Sequence, residues 1–209
     1  MGVPHRTDAV AIVTANAIVD AWLFPVVRGA SDNPSWFEVL GPQELARVRR
    51  LGRQADRDRA VCARLAARIE VGCRLGINAA DVRLDDRGPP AVDGTYVTVS
   101  WSHSGNWIAL ALGSDRSVGI DIEQVPAHLD LRALEELDVH SLAEFVALEA
   151  ASKATACEHD GAWPPGVAVR RLSAPDGYVA AAAARGEDWR VELHVRSPLR
   201  IVEGLVDAC

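Results

Sequence analysis

The stretch Val97-Thr98-Val99-Ser100-Trp101-Ser102-His103-Ser104-Gly105-Asn106-Trp107-Ile108-Ala109-Leu110-Ala111-Leu112-Gly113-Ser114-Asp115-Arg116-Ser117-Val118-Gly119-Ile120-Asp121-Ile122-Glu123 carries the clearest pattern in the chain. Val97, Val99 and Trp101 alternate with Thr98, Ser100 and Ser102, the period of a half-buried strand. Ser104-Gly105-Asn106 is a turn, and Trp107 to Leu112 reads as a buried strand. Gly113-Ser114-Asp115-Arg116 turns again, and Val118 to Val125 reads as a third strand. Two short turns in succession predict an antiparallel meander. In it the third strand pairs with the second, so Glu123 ends beside Trp107. Ser102-His103 and Asp121-Glu123 are then expected at one end of one sheet.

Working outward, Val13 to Val27 holds apolar, β-branched stretches that read as one or two strands. Pro34 to Gly41 is a turn-rich connection. Pro42 opens a helix, a position where proline is tolerated, and Leu45, Val48 and Leu51 recur at helical spacing before Gly52 interrupts them. A second helix runs from about Asp56 to Arg74, with Val61, Leu65 and Ile69 on one face. Asp85 to Pro90 reads as a loop. On the other side, Ser141-Leu142-Ala143-Glu144 forms a capping box that starts a helix reaching about Cys157. Strand-like segments follow at Val167 to Leu172, Gly177 to Ala183 and Trp189 to Val195. Helices and strands mix in both halves, an α+β pattern.

Composition narrows the class. The chain has 209 residues, of which 49% are hydrophobic and 24% charged, enough to bury a sizeable core. No run approaches the ~20 apolar residues of a membrane span, and no secretory leader is visible, so a cytosolic location is expected. Cys62, Cys73, Cys157 and Cys209 stand far apart without a C-x-x-C pair, which predicts reduced, buried thiols rather than a zinc site or disulfide framework. A net charge of -7 argues against nucleic acid as a partner. Arg47, Arg49, Arg50, Arg53, Arg57, Arg59, Arg64, Arg68 and Arg74 nevertheless crowd one segment. They form either a local anion site or a solvated, arginine-rich helix face.

Two side-chain pairs could carry chemistry. On a strand Asp121 and Glu123 share one face, about 7 Å apart, and repel unless water or a cation screens them. Magnesium suits such a pair, since it binds one or two carboxylates and completes its shell with water and phosphate oxygens. The ordinary alternative is a solvated strand face. One helical turn separates Glu149 from Lys153, which would normally be an exposed ion pair worth about 0.2–0.5 kcal/mol. That helix has no developed polar side, because Leu142, Phe145 and Val146 accompany the pair and Ala143, Ala147, Ala151 and Ala154 line the opposite face. Both charges are therefore expected to be partly buried, with a metal for Glu149 and a phosphate for Lys153 as suitable partners.

Three motifs, in order, resemble the Sfp-type phosphopantetheinyl transferases: Trp101-Ser102-His103-Ser104, Gly119-Ile120-Asp121-Ile122-Glu123 and Glu149-Ala150-Ala151-Ser152-Lys153-Ala154. The segment around Asp56 and Arg59 and the loop Gly88-Pro89-Pro90 fall where that family has counterparts. The resemblance implies two similar α/β subdomains, 1–116 and 117–209, related by a pseudo-twofold axis, with antiparallel sheets packed against helices and coenzyme A in the cleft between them. It implies magnesium on Asp121, Glu123 and Glu149, and coenzyme A contacts from Arg47, Arg59, Ser102, His103 and Lys153. Glu149, Lys153 and His103 become the catalytic candidates, acyl or peptidyl carrier proteins the macromolecular partners, and a monomer the expected state. The implied reaction moves the 4'-phosphopantetheine arm of coenzyme A onto a carrier-protein serine.

Departures from the family pattern point to a second possibility. Phe145 stands in place of a tryptophan, Leu148 in place of a lysine, and Pro89 at the second position of a G-K-P loop; the Glu123-to-Glu149 connection is short. A family member that binds coenzyme A or a carrier protein without transfer is the alternative. Leu148→Lys is expected to improve coenzyme A use if a cation was simply lost there.

Overall fold

The computed structural model describes residues 17–85, 91–92, 95–114, 116–127, 138–155 and 162–196. Strand β1 (Ala17–Pro25) is followed by three helices, α1 (Pro34–Phe37), α2 (Pro42–Arg50) and α3 (Gln54–Leu75). Short strands β2 (Leu84–Asp85) and β3 (Ala91–Val92) lead into β4 (Val97–Ser104), β5 (Trp107–Ser114) and β6 (Val118–Gln124). Helix α4 (Leu142–Thr155) and strands β7 (Val167–Leu172), β8 (Tyr178–Arg185) and β9 (Trp189–Val195) complete the order. The alternation and capping signals of the sequence thus locate every long element to within a few residues. Pro34–Phe37 adds a helical turn where a plain connection was expected, begun by Asn33, whose side chain accepts from the Ser35 N–H at 3.1 Å.

The strands form two sheets, with the orders β2-β3-β4-β5-β1-β9 and β6-β8-β7. All described pairings are antiparallel except β1 with β9, which brings the last described strand back beside the first. Here the meander expectation is corrected. β4 and β5 form the expected hairpin, but β6 does not pair with β5; it leaves to become an edge of the second sheet, bonded to β8. Period-two alternation fixes which side chains share a face, and it is silent about which strand supplies the backbone partner.

Each face of each sheet has its own apolar layer. Trp22, Phe24, Val99, Ile108, Leu110 and Leu112 face α3, where Val61, Leu65 and Ile69 meet them. On the reverse face, Val19, Ala21, Leu23, Ala109 and Ala111 pack on Val118, Ile120 and Ile122 of β6 and Ala180, Ala182 and Ala184 of β8. The far side of the second sheet, through Ala181 and Ala183, carries Val146, Ala147, Ala150, Ala151 and Ala154 of α4. The order is helix, sheet, sheet, helix, an α+β architecture built on antiparallel sheets.

Polar groups buried at the rim tie the first helices down. Glu44 accepts from the Gly41 N–H at 2.7 Å and from Arg68 Nη2 at 2.7 Å, while Arg68 also donates to the Val82 carbonyl. Asp58 accepts from the backbone N–H groups of Gly29 and Ser31, both at 2.9 Å, and from the Ser31 hydroxyl at 2.7 Å. Burial alone would raise the Asp58 pKa, but these donors, with the Arg57 charge, outweigh it and the net shift is downward. Cys62 is free and buried as expected, with burial pushing its thiol up to about 11. Cys73 is disulfide-bonded, contrary to the expectation of reduced thiols; sequence spacing does not report spatial approach.

The closest approach of layers is at Gly119, where an added Cβ would overlap the Ala150 carbonyl oxygen and come within 2.7 Å of Ala154 N. These are backbone atoms of α4, so the helix as a whole would have to shift. Gly119→Ala is expected to cost about 1–3 kcal/mol and to displace Glu149 and Lys153 with their helix. Urea unfolding of the variant checks the first effect, and a wild-type midpoint would show that α4 has room to spare.

Candidate functional site

The site grows from the alternation of β4. With Val97, Val99 and Trp101 turned towards α3, Ser100, Ser102 and Ser104 emerge on the opposite face, against the free edge of β6. Ser100 Oγ accepts from the Ile120 N–H at 3.2 Å and Ser104 Oγ from the Gln124 N–H at 3.0 Å. Two backbone donors that a strand edge leaves unpaired are satisfied in this way. The same ladder reaches the acids: Ser102 Oγ donates to Asp121 Oδ1 and Ser104 Oγ to Glu123 Oε2, both at 2.7 Å. Ser102 and Ser104 thus meet Asp121 and Glu123 through side-chain bonding between two sheets rather than in a shared meander, while His103 alternates to the side of β4 that faces α3.

Helix α4 contributes the rest. Its start follows the predicted box, since the Glu144 N–H donates to Ser141 Oγ at 3.2 Å and Glu144 Oε2 accepts from the His140 N–H at 2.7 Å. Asp121 sits opposite Ala181 in the β6–β8 register, on the face that α4 covers. Lys153 Nζ lies 2.7 Å from Asp121 Oδ1 and 3.3 Å from the Ile120 carbonyl oxygen. Lys153 and Glu149 are both half-buried, as the absence of a polar helix face foretold. Glu149 stands near enough for its charge to act on both Asp121 and Glu123.

Cations line the adjoining side. Arg59 donates from Nη1 to the Gly105 carbonyl at 3.0 Å, at the β4–β5 turn, and forms an ion pair with Asp56. His103 is exposed at the same strand end, yet the protein beside its ring removes hydration and lowers its pKa; repulsion from Arg59, Lys153 and Arg64 adds to this. Arg64, which also stands 3.9 Å from Glu44 Oε1, was named in the sequence only as one of the arginine-rich segment. Five positions beyond Arg59, it does not share the helical spacing that would have grouped the two. Arg47 enters indirectly, its charge acting on Arg64. Other members of the arginine-rich segment serve the fold: Arg68 holds Glu44, Arg74 pairs with Asp20, and Arg57 donates to the carbonyls of Leu51 and Gly52.

Asp121 is 3% exposed, and burial raises its pKa against the opposing influence of Lys153 and Ser102. Burial also raises Glu123, with Ser104 opposing and the Asp121 charge reinforcing the rise. Both acids thus favour the folded state in protonated form, and that contribution is lost as pH rises through their raised values. Asp121 Oδ2 is buried without any hydrogen-bond partner, an acceptor that a cation would satisfy. Crowded carboxylates beside an orphaned oxygen have the donor chemistry that magnesium takes. Among the described residues, however, no group of three or more His, Cys, Asp or Glu side chains is assembled that could hold a metal ion. The donors expected of Asp121, Glu123 and Glu149 fit the ion by type without being gathered around it in advance.

One expectation changes outright. Leu148 is 0% exposed and packs with Val139 and Phe145 beneath α4. It is a core residue. Pro89 lies outside the described residues.

Two predictions follow from these environments. Leu148→Lys should lose on the order of 3–5 kcal/mol of stability, the cost of an uncompensated buried charge, rather than improve ligand use; denaturant unfolding measures it. For His103, the imidazole resonances should titrate below the ordinary histidine value of 6.5, and Arg59→Ala should move the midpoint upward by removing a repelling charge. Its stabilising contribution is present above pH ~6.5 and disappears as pH falls through the lowered value. A midpoint at or above 6.5 in the wild type contradicts this environment.

Comparison with known proteins adds one finding. No family model matches the chain. The chain is 30% identical over 129 residues to a protein of Thraustochytrium sp. (strain ATCC 26185 / S-3) described as a phosphopantetheinyl transferase, an alignment covering 57% of this chain and 44% of that protein. The chain therefore matches less than half the length of this curated relative. The similarity supports a distant family relationship.

Proposed function

We propose that the chain transfers the 4'-phosphopantetheine arm of coenzyme A to a serine of an acyl or peptidyl carrier protein, in a magnesium-dependent reaction. The observation that carries the reading is Asp121: a buried carboxylate, shared by Ser102 of one sheet and Lys153 of α4, with one oxygen left over. A structural ion pair has no use for an orphaned oxygen, and a diphosphate-and-cation site does.

In this reading Lys153, Arg59, Arg47, Ser102 and His103 take the phosphates of coenzyme A. Arginine suits that task because its planar fork binds two oxygens at once. The His103 pKa is lowered by desolvation first and by the neighbouring cations second, and a phosphate beside the ring would act in the opposite direction. Asp121, Glu123 and Glu149 would hold magnesium, which would supply charge neutralisation for the diphosphate. Glu149, directly or through water, accepts the proton of the carrier serine. The serine oxygen forms a bond to the β-phosphorus, the phosphoanhydride bond breaks, and 3',5'-ADP leaves. The halves 1–116 and 117–209 act as two subdomains of this machine, with coenzyme A between them.

Apo carrier protein incubated with coenzyme A, magnesium and the enzyme should gain the mass of one phosphopantetheine. Asp121→Ala should slow that gain by about 100-fold or more, the range for loss of one charge-stabilising group. No adduct on any of a broad panel of carriers sinks the transferase reading.

Leu148 favours a second reading. With that position committed to the core, the cleft has one cation fewer than the family pattern, and the chain would then hold coenzyme A without turning it over. Calorimetric binding of coenzyme A without adduct formation selects this alternative; turnover eliminates it.

A further inference from the structure

Asp121 cannot be left bare. At 3% exposure, an ionised carboxylate in that position needs a cation, and the structure gives it the ammonium of Lys153. The Lys153 side chain is itself 32% exposed, and besides the carboxylate its ammonium donates to the backbone oxygen of Ile120. Its head is thus held by polar contacts at the mouth of the site rather than by packing. Asp121 is fixed on the other side by Ser102, and α4 by its backbone contact with Gly119. The movable member of the group is the lysine.

Resting on the reading of a diphosphate-and-cation site, we propose that Lys153 is a resident counter-ion that occupies the carboxylate until a diphosphate draws it away, so that divalent cation and diphosphate bind only together. A divalent ion arriving alone would meet the ammonium 2.7 Å from Asp121 Oδ1, and the mutual repulsion of the two cations keeps it out. A diphosphate offers Lys153 another anionic partner at the mouth of the cleft. The ammonium moves there without loss of pairing, and the carboxylate is released at the moment when the ion has a second set of oxygens to bind. Linkage makes the effect reciprocal: the ion raises diphosphate affinity by the factor by which diphosphate raises the affinity for the ion.

The test uses manganese(II) as the probe, with bound and free ion counted by electron paramagnetic resonance, on the full chain with and without saturating coenzyme A. Wild type should bind the ion at least about tenfold more weakly alone than with coenzyme A, a coupling in the usual range for linked sites. Lys153→Met should bind the ion alone at least about tenfold more tightly than wild type and lose most of the coupling. Lys153→Arg, which keeps the charge, should retain it, so a misfolded methionine variant does not decide the matter. Equal affinity of wild type for manganese with and without coenzyme A overturns the proposal, as does an unchanged ion affinity in a folded Lys153→Met protein. The underlying reading fails differently: coenzyme A that binds neither with nor without the ion removes the diphosphate site itself. Coupling without transfer to any carrier removes only the transferase activity.

Discussion

A carboxylate shared among three elements organises this molecule. Asp121 rises from an edge strand of the second sheet, accepts a hydrogen bond from a hydroxyl of β4 in the first, and holds the ammonium of a helix on the outer layer. Each layer could form its own hydrogen bonds without the others. What aligns them at one end is the need to satisfy a charge that water cannot reach. The serine ladder of β4 extends this constraint along the strand, since Ser104, which donates to Glu123, also accepts from the Gln124 N–H, and Ser100 accepts from the Ile120 N–H.

Packing permits that arrangement by staying thin. Ala180 through Ala184 form five consecutive small side chains in β8, all at most 1% exposed, so that sheet and helix close on it from both sides. Gly119 does the same at the β6–α4 contact. Small residues here set distances: with larger side chains between the layers, Lys153 would stand too far from Asp121 to serve it. Alanine has little intrinsic preference for a strand, and its presence in β8 reflects burial on two faces rather than propensity.

Much of this was legible in the residues. Alternation located β4 to β6 and oriented their faces, the capping box located α4, and the lack of a polar helix face indicated that Glu149 and Lys153 would be drawn inward. The exchange of β6 between sheets was not legible, because a turn of similar length serves a hairpin and a crossover to a facing sheet alike. Nor could spacing sort the arginines. Arg59 and Arg68 look equivalent in sequence, and only the positions of Glu44 and Gly105 make one a core bracket and the other part of the site. The burial of Leu148 was not legible for a related reason: Val139, which packs on it, precedes its helix and leaves no periodic signature.

The pairing of β1 with β9 has a bearing on how the chain is made. Since β9 lies at 189–195 and β1 at 17–25, the first sheet remains one strand short during most of translation. A nascent chain that has completed β5 and α3 presents the rim of β1 as a row of open amide and carbonyl groups, adhesive towards any passing strand. The segment 189–195 seals that rim, so a chain broken off upstream of Trp189 leaves a sticky intermediate rather than a smaller working protein.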